Sequence, residues 1–223
     1  MRRISPRSAG LLAAAMLLAG CGGTSTQHAA NGGTAAAAPA PKDAWSDPSF
    51  QPSASKLMTV SVAPVPLTGT LAGRADQGFE RVFVSMQGIQ VRMTPTMVRQ
   101  RMNGNRELVQ TMNRIQTAQY TPSTLASASL KTMFTGREYA DLNTALGTPV
   151  VTCVPVQFAI DRTGNETRGT VLYRAFDMES GRLLRQCGFA AHSTLAVEEA
   201  EQKVLVDLIL AVEGDFAAHF VAP

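Results

Sequence analysis

The sequence predicts a mixed α/β domain: a mixed sheet with parallel crossovers and a C-terminal antiparallel meander, helices packed on it, and a long C-terminal helix. Three observations predict it. Strand-like runs alternate with helical periodicities between residues 56 and 149, the pattern of crossover connections. Three apolar-alternating runs then follow between 150 and 192, separated by Gly-containing turns. A final stretch repeats apolar residues at steps of three and four.

Lys56 to Val65 reads as a strand, ended by Pro64 and Pro66. Leu71, Ala75, Phe79, Val82, Phe83 and Met86 then mark an amphipathic helix over about 70–86, stopped by Gly88. Ile89 to Met93 is a second short strand. Thr94-Pro95 supplies an N-cap and a proline at N1 for a helix to Met102, broken by Asn103-Gly104-Asn105. Residues 106–120 tolerate helix but are weakly patterned. Helices are expected over 122–134 and 137–146, the second closed by Gly147 at C′ and Pro149. Val150 to Asp161 is a strand with Val150, Thr152, Val154, Val156, Phe158 and Ile160 on one face. Turns at 163–166 and 180–181 lead into strands 170–178 and 183–192. Ser193-Thr194 then precede the long helix, whose stripe runs Val197, Ala200, Val204, Leu208 and Val212 to Phe216 and Phe220. Glu199 and Lys203 form an expected i,i+4 pair on its outer face.

The amino-terminal part obeys a different logic. Arg2, Arg3 and Arg7 account for the whole net charge of +3, so the basic pI says nothing of nucleic acid and none is expected as a partner. These arginines precede an apolar stretch from Ala9 to Gly20, too short to span about 30 Å of hydrocarbon as a helix. Together they read as a signal peptide over 1–20. Leu18-Ala19-Gly20-Cys21 resembles a bacterial lipobox. That resemblance implies that Cys21 is lipidated, that the preceding peptide is cut away, and that the chain is held to a membrane by its lipid. Gly22, where an Asp would retain the protein at the inner membrane, implies an outer-membrane lipoprotein whose domain faces the periplasm. Residues 21–55, rich in Ala, Gly, Pro, Ser and Thr, read as a tether with a typical span of about 30–35 Å. Within it Trp45 and Phe50 are either incidental or a docking point. The domain is expected over 56–223.

Cys153 and Cys187 would face an oxidising compartment, but a disulfide between them is not expected. Pairing about the turns sets Cys153 opposite a residue near Met178 and Cys187 opposite Leu172 or Tyr173. The two thiols then lie on non-adjacent strands, about 9–10 Å apart.

Element order, with Met58 to Pro64, Tyr139 to Gly147, Val150 to Val154 and Tyr173 to Gly181, resembles the fold shared by the TolB amino-terminal domain, the curli secretion lipoprotein CsgG and the penicillin-binding-protein activator LpoB. The resemblance implies a binding or assembly accessory of an envelope machine for secretion, a motor or peptidoglycan synthesis. It implies envelope protein partners. The Arg- and Asn-rich stretch from Thr94 to Tyr120 departs from the pore-forming member, because it lacks the alternation of a barrel strand.

Chemistry is sparsely signalled. His28, His192 and His219 have no second ligand at metal spacing, so no metal or cofactor is expected. No nucleophile elbow, phosphate loop or dinucleotide fingerprint occurs, and the expectation is that the chain is not an enzyme. Arg99, Arg101, Arg106 and Arg114 are the candidate partner-binding residues, a solvated helical face being the alternative. Two rival functions remain: a periplasmic hydrolase or ligand-binding protein using Asp161 or Glu179 with His192, and an oligomeric structural subunit, in which case the partner is a second copy.

Overall fold

Apolar runs at both ends of the domain pair into one sheet whose two faces are covered by helices. The computed structural model describes residues 39–52 and 57–221 of the 223, so Cys21 and the signal peptide lie outside the described residues. In chain order the elements are β1 (Lys42–Ser46), β2 (Met58–Val62), α1 (Gly69–Ser85), β3 (Ile89–Met93), α2 (Pro95–Met102), α3 (Arg106–Thr117), α4 (Leu130–Met133), α5 (Gly136–Ala145), β4 (Val151–Thr163), β5 (Glu166–Asp177), β6 (Leu183–Ser193) and α6 (Val197–Phe220). The sheet order is β1-β6-β5-β4-β2-β3. β2 pairs in parallel with β3 and β4, and the other neighbours are antiparallel, which is the mixed sheet and meander expected.

Local capping defines several boundaries. Thr94 accepts from Met97 N–H at 3.4 Å with Pro95 at the start of α2, and Asn105 accepts from Leu108 N–H at 3.0 Å to begin α3. Thr135 and Glu138 form a reciprocal capping box on α5. The expected helix over 122–134 is instead a 3-10 turn (Leu125–Ser127) and the four residues of α4. Hydroxyls of Thr124, Ser127 and Thr132 donate to carbonyls three residues back, offering the backbone an alternative to the helix.

Each sheet face buries a core. The first lies under α1 and α6 and is threaded by Phe50, Phe220, Phe216, Phe83, Phe79 and Phe158, successive ring centroids being 4.4–6.5 Å apart. The second lies under α3, α4 and α5. α6 sits so close that a Cβ on Gly169 would meet Val204 Cγ1 at 2.4 Å, and one on Gly78 would meet Ile209 Cδ1 at 2.4 Å. Its stripe is buried as expected from Ala200 to Phe220, but Val197, its first residue, is 55% exposed. Lys203 pairs with Asp207 at 2.8 Å rather than with Glu199, which stays in the first turn near the positive helix end.

β4 does not keep one face. Its register against β5 slips between Pro155 and Gln157, leaving Val156 as the extra residue of a bulge. Before the slip Val151 and Cys153 enter the first core; after it Phe158 and Ile160 do, while Val154 and Val156 enter the second. The single-face assignment of Val150 to Ile160 is therefore corrected, because an inserted residue inverts alternation. Gln116 of α3 donates to the carbonyls of Pro155, at 3.2 Å, and Pro64, at 2.9 Å, so the bulge is satisfied from the helical layer.

The stretch read as tether also contributes a strand. β1 pairs with β6, Trp45 packs against the second core, and the Phe50 ring lies 5.3 Å from that of Phe220. Docking, not incidental placement, describes both aromatics. Cys153 and Cys187 are buried free thiols on β4 and β6, with β5 between them. Cys187 faces Tyr173, while Cys153 faces Ala175 rather than Met178, because the tight turn pairs Thr163 with Glu166 and the bulge at Val156 moves the register one residue further.

Two glycines separate close approach from open space. Gly169→Val is expected to cost about 1–3 kcal/mol by overpacking beneath α6. Gly214→Ala, in the interior of α6 with nothing within 4 Å, is expected to gain about 0.5–1 kcal/mol. Urea unfolding followed by circular dichroism measures both.

Candidate binding surface

The four arginines singled out by the sequence lie on α2 and α3, and three are occupied within the fold. Arg99 donates through Nε to Asp76 Oδ2 at 2.5 Å and through its other nitrogens to the carbonyls of Leu67 (3.2 Å) and Val65 (3.0 Å). The second oxygen of Asp76 accepts from Val65 N–H at 2.9 Å. This clamp fastens α2 to α1 and to the loop between β2 and α1. Burial pushes the Asp76 carboxyl up, against the opposing pull of Arg99.

Arg101 donates to the carbonyls of Thr144 (3.0 Å), which also accepts from Gly147 N–H, and Ala145 (2.7 Å) at the end of α5. Arg114 pairs with Glu138 at 2.8 Å, donates to the Met133 carbonyl and lies 4.5 Å above the Phe134 ring. Among the described residues Arg106 alone of the four has no ion pair or side-chain hydrogen bond; it stands exposed at the start of α3. Between α3 and α5 runs a groove of about 760 Å³, lined among others by Arg101, Asn105, Glu107, Arg114, Glu138 and Asp141. Its charges are mixed, so it suits a polar segment of both signs better than a simple anion. The Thr135 N–H, then its hydroxyl and Arg114, hold the Glu138 carboxyl below its ordinary value.

The acids and histidine considered for catalysis do not converge. Asp161 and His192 both neighbour Arg168 in register, on the exposed end of the β4–β5 hairpin. Glu179 lies in the turn between β5 and β6, at the opposite end of the sheet. Among the described residues no group of three His, Cys, Asp or Glu is placed to hold a metal ion.

Sequence reasoning missed the buried ionic groups. Asp215 of α6 accepts from Arg185 Nη2 at 2.5 Å and Nε at 2.9 Å and from the Tyr173 hydroxyl, while Arg185 Nη1 donates to Ser46 Oγ at 2.6 Å. Burial pushes the Asp215 carboxyl up, but the donors from Arg185 and Tyr173 outweigh it and hold the group below the usual carboxylate range. Buried Arg174 of β5 donates to Ala118 O at 2.8 Å and Gln186 Oε1 at 2.8 Å and stacks 4.4 Å above the Tyr120 ring. A signal existed: Asp76 and Asp215 interrupt apolar helix stripes, next to Ala75 and Phe216.

No protein-family model and no curated protein matches the chain. Several solved structures are similar to it over most of its length. A hypothetical protein, CT253, from Chlamydia trachomatis is 13% identical, with 73% of this chain and 99% of that one covered, at a TM-score of 0.45. A PelC dodecamer from Paraburkholderia phytofirmans is 10% identical, covering 82% and 99%, also at 0.45. Lipoprotein GNA1162 from Neisseria meningitidis is 15% identical, covering 72% and 99%, at 0.37. Likeness at this level carries no argument about this chain.

Asp215→Ala strands the Arg185 guanidinium and is expected to cost about 3–5 kcal/mol. Because the folded pKa of Asp215 is depressed, its contribution is present above the unfolded value near 3.8 and is lost as pH falls through the folded value. Asp76, shifted up, works in the opposite sense. Urea titrations of the parent and the Asp215→Ala variant, from neutral to strongly acid pH, should therefore show the gap between them closing only at the acid end. Arg106→Ala should stay within about 0.5 kcal/mol of the parent in the same assay.

Proposed function

We propose that this chain is an outer-membrane lipoprotein, anchored through Cys21, whose periplasmic α/β domain acts by binding within an envelope assembly. The observation that carries the reading is Leu18-Ala19-Gly20-Cys21, placed directly after a basic start and an apolar run. Two or more acyl chains on one cysteine anchor stably where a single chain does so marginally. Among the described residues no helix is long and apolar enough to cross a membrane, so the lipid is the attachment this reading relies on.

The use of the polar groups supports a binding role over catalysis. Arg99, Arg101 and Arg114 fasten helices to one another, and Asp161, Glu179 and His192 are exposed or apart. What the helical layer leaves open is the mixed-charge groove between α3 and α5, with Arg106 nearby on α3. The resemblance of the element order to envelope accessory proteins favours tasks in secretion, a motor or peptidoglycan synthesis. Anchoring concentrates the domain at one membrane face, so a modest interface suffices.

Fractionation of cells expressing the Cys21→Ser variant tests the anchor. The parent is expected in the membrane fraction with acyl label, and the variant free of both; a variant that stays membrane-bound and lipidated contradicts the reading. Crosslinking in live cells with mass spectrometry tests the rest. Envelope proteins are the expected catch, and recovery of cytoplasmic proteins alone would count against the location.

A further inference from the structure

β1 is the strand that the sheet holds least. Only Lys42, Trp45 and Ser46 have partners on β6, opposite Gly188, Gln186 and Arg185, and the register shifts between the first two. Four of its five residues are exposed. Asp43 has φ of 51°, a left-handed conformation that is strained for a residue with a side chain. Pro39 and Pro41 precede it, so pairing does not extend toward the far half of β6.

Topology adds slack. β1 and β2 are consecutive in the chain, yet β6, β5 and β4 separate them in the sheet. Four strand spacings of about 4.8 Å make a gap of roughly 19 Å. Residues 51–57, the link that follows Phe50, can extend to about 23 Å. A strand on such a link can leave its own sheet and reach another.

Five contacts fasten β1 and the residues after it. Trp45 packs on the second core, and Ser46 accepts from Arg185 at 2.6 Å. The buried Asp47 carboxylate meets Arg182 at 2.7 Å, while its N–H donates to the Leu184 carbonyl at 2.8 Å. Phe50 closes against Phe220. The edge of β6 thus recognises an extended segment that offers an aromatic, a hydroxyl and a carboxylate in succession.

We propose that β1 is an exchangeable strand, and that the edge of β6 is a docking site for β1 of a second copy of this chain. A second copy supplies Trp45-Ser46-Asp47 unchanged, so exchange replaces each contact with an identical one. The balance is then set by chain concentration and by relief or strain in the link. Confinement to one membrane face, on the reading above, raises that concentration, but the exchange does not require it.

The test uses the full chain with Trp45 replaced by the photoreactive aromatic p-benzoylphenylalanine. It is irradiated in detergent over about a hundredfold range of concentration, and the adducts are mapped by mass spectrometry. Expected are intrachain adducts from position 45 to residues 183–188, together with covalent dimers joined at the same residues of another copy. The dimer share should rise in proportion to concentration. Adding Arg182→Ala should lower both adducts and leave their ratio unchanged, since both use one contact set. Intrachain adducts alone at every concentration, dimers joined elsewhere than β6, or dimers that Arg182→Ala leaves in place while it lowers the intrachain adducts would each overturn the proposal. The same experiment on the Cys21→Ser chain separates this result from the fate of the lipid anchor.

Discussion

The carboxylate of Asp215 is the point from which the rest of the structure is held in place. It reaches from α6 to Tyr173 on β5 and Arg185 on β6, and Arg185 in turn reaches Ser46 on β1. Tyr173 and Arg185 are diagonal neighbours across two strands, because Tyr173 lies opposite Cys187. A slip of one residue would send one of them to the other face and leave a charge buried without its partner. One interaction therefore ties the register of the meander to the rotation of the long helix. The cost of removing water from these charges is large, so the gain is a defined arrangement rather than simple adhesion.

α1 and α6 cover one face and the α3–α5 layer covers the other except at the far end of the meander, where Gln157, Asp161, Arg168, Thr170 and His192 stand exposed. Recognition is left to helix surfaces, to that end of the meander and to the sheet's two edges. The β3 end is a five-residue strand carrying exposed Arg92, and the β1 end carries prolines, a bulge and a strained Asp43. Both are features that discourage indiscriminate edge pairing. The long β6 beneath β1 is the better-formed edge, and the arginines along it choose what lies there.

How much of this could be read in the sequence depended on how local its cause was. β3 and α2 fall where Gly88, Thr94-Pro95 and Asn103-Gly104 place them, since turns and caps are decided by adjacent residues. The buried stripe of α6 from Ala200 onward was equally legible, because spacing alone defines it. The bulge in β4 was not: its satisfaction comes from Gln116, on a helix distant in the chain. Nor was β1, whose own residues look like linker and whose instructions sit on Arg182, Arg185 and Phe220. The arginines of α2 and α3 looked like a cationic surface because sequence shows charge but not the carboxylates and carbonyls that occupy it. Cys21 is the opposite case, a residue whose reading rests on its immediate neighbours and on nothing in the fold.

On the proposed function, a lipid at Cys21 precedes a domain whose first strand is fastened at a sheet edge. The attachment of lipid at Cys21 is the central claim, and the intact mass of the mature protein, extracted from membranes, tests that claim most directly. A chain that begins at Cys21 and carries the added mass of acyl chains is the predicted result. A chain that retains residues 1–20, or one that begins at Cys21 with an unmodified thiol, would contradict it.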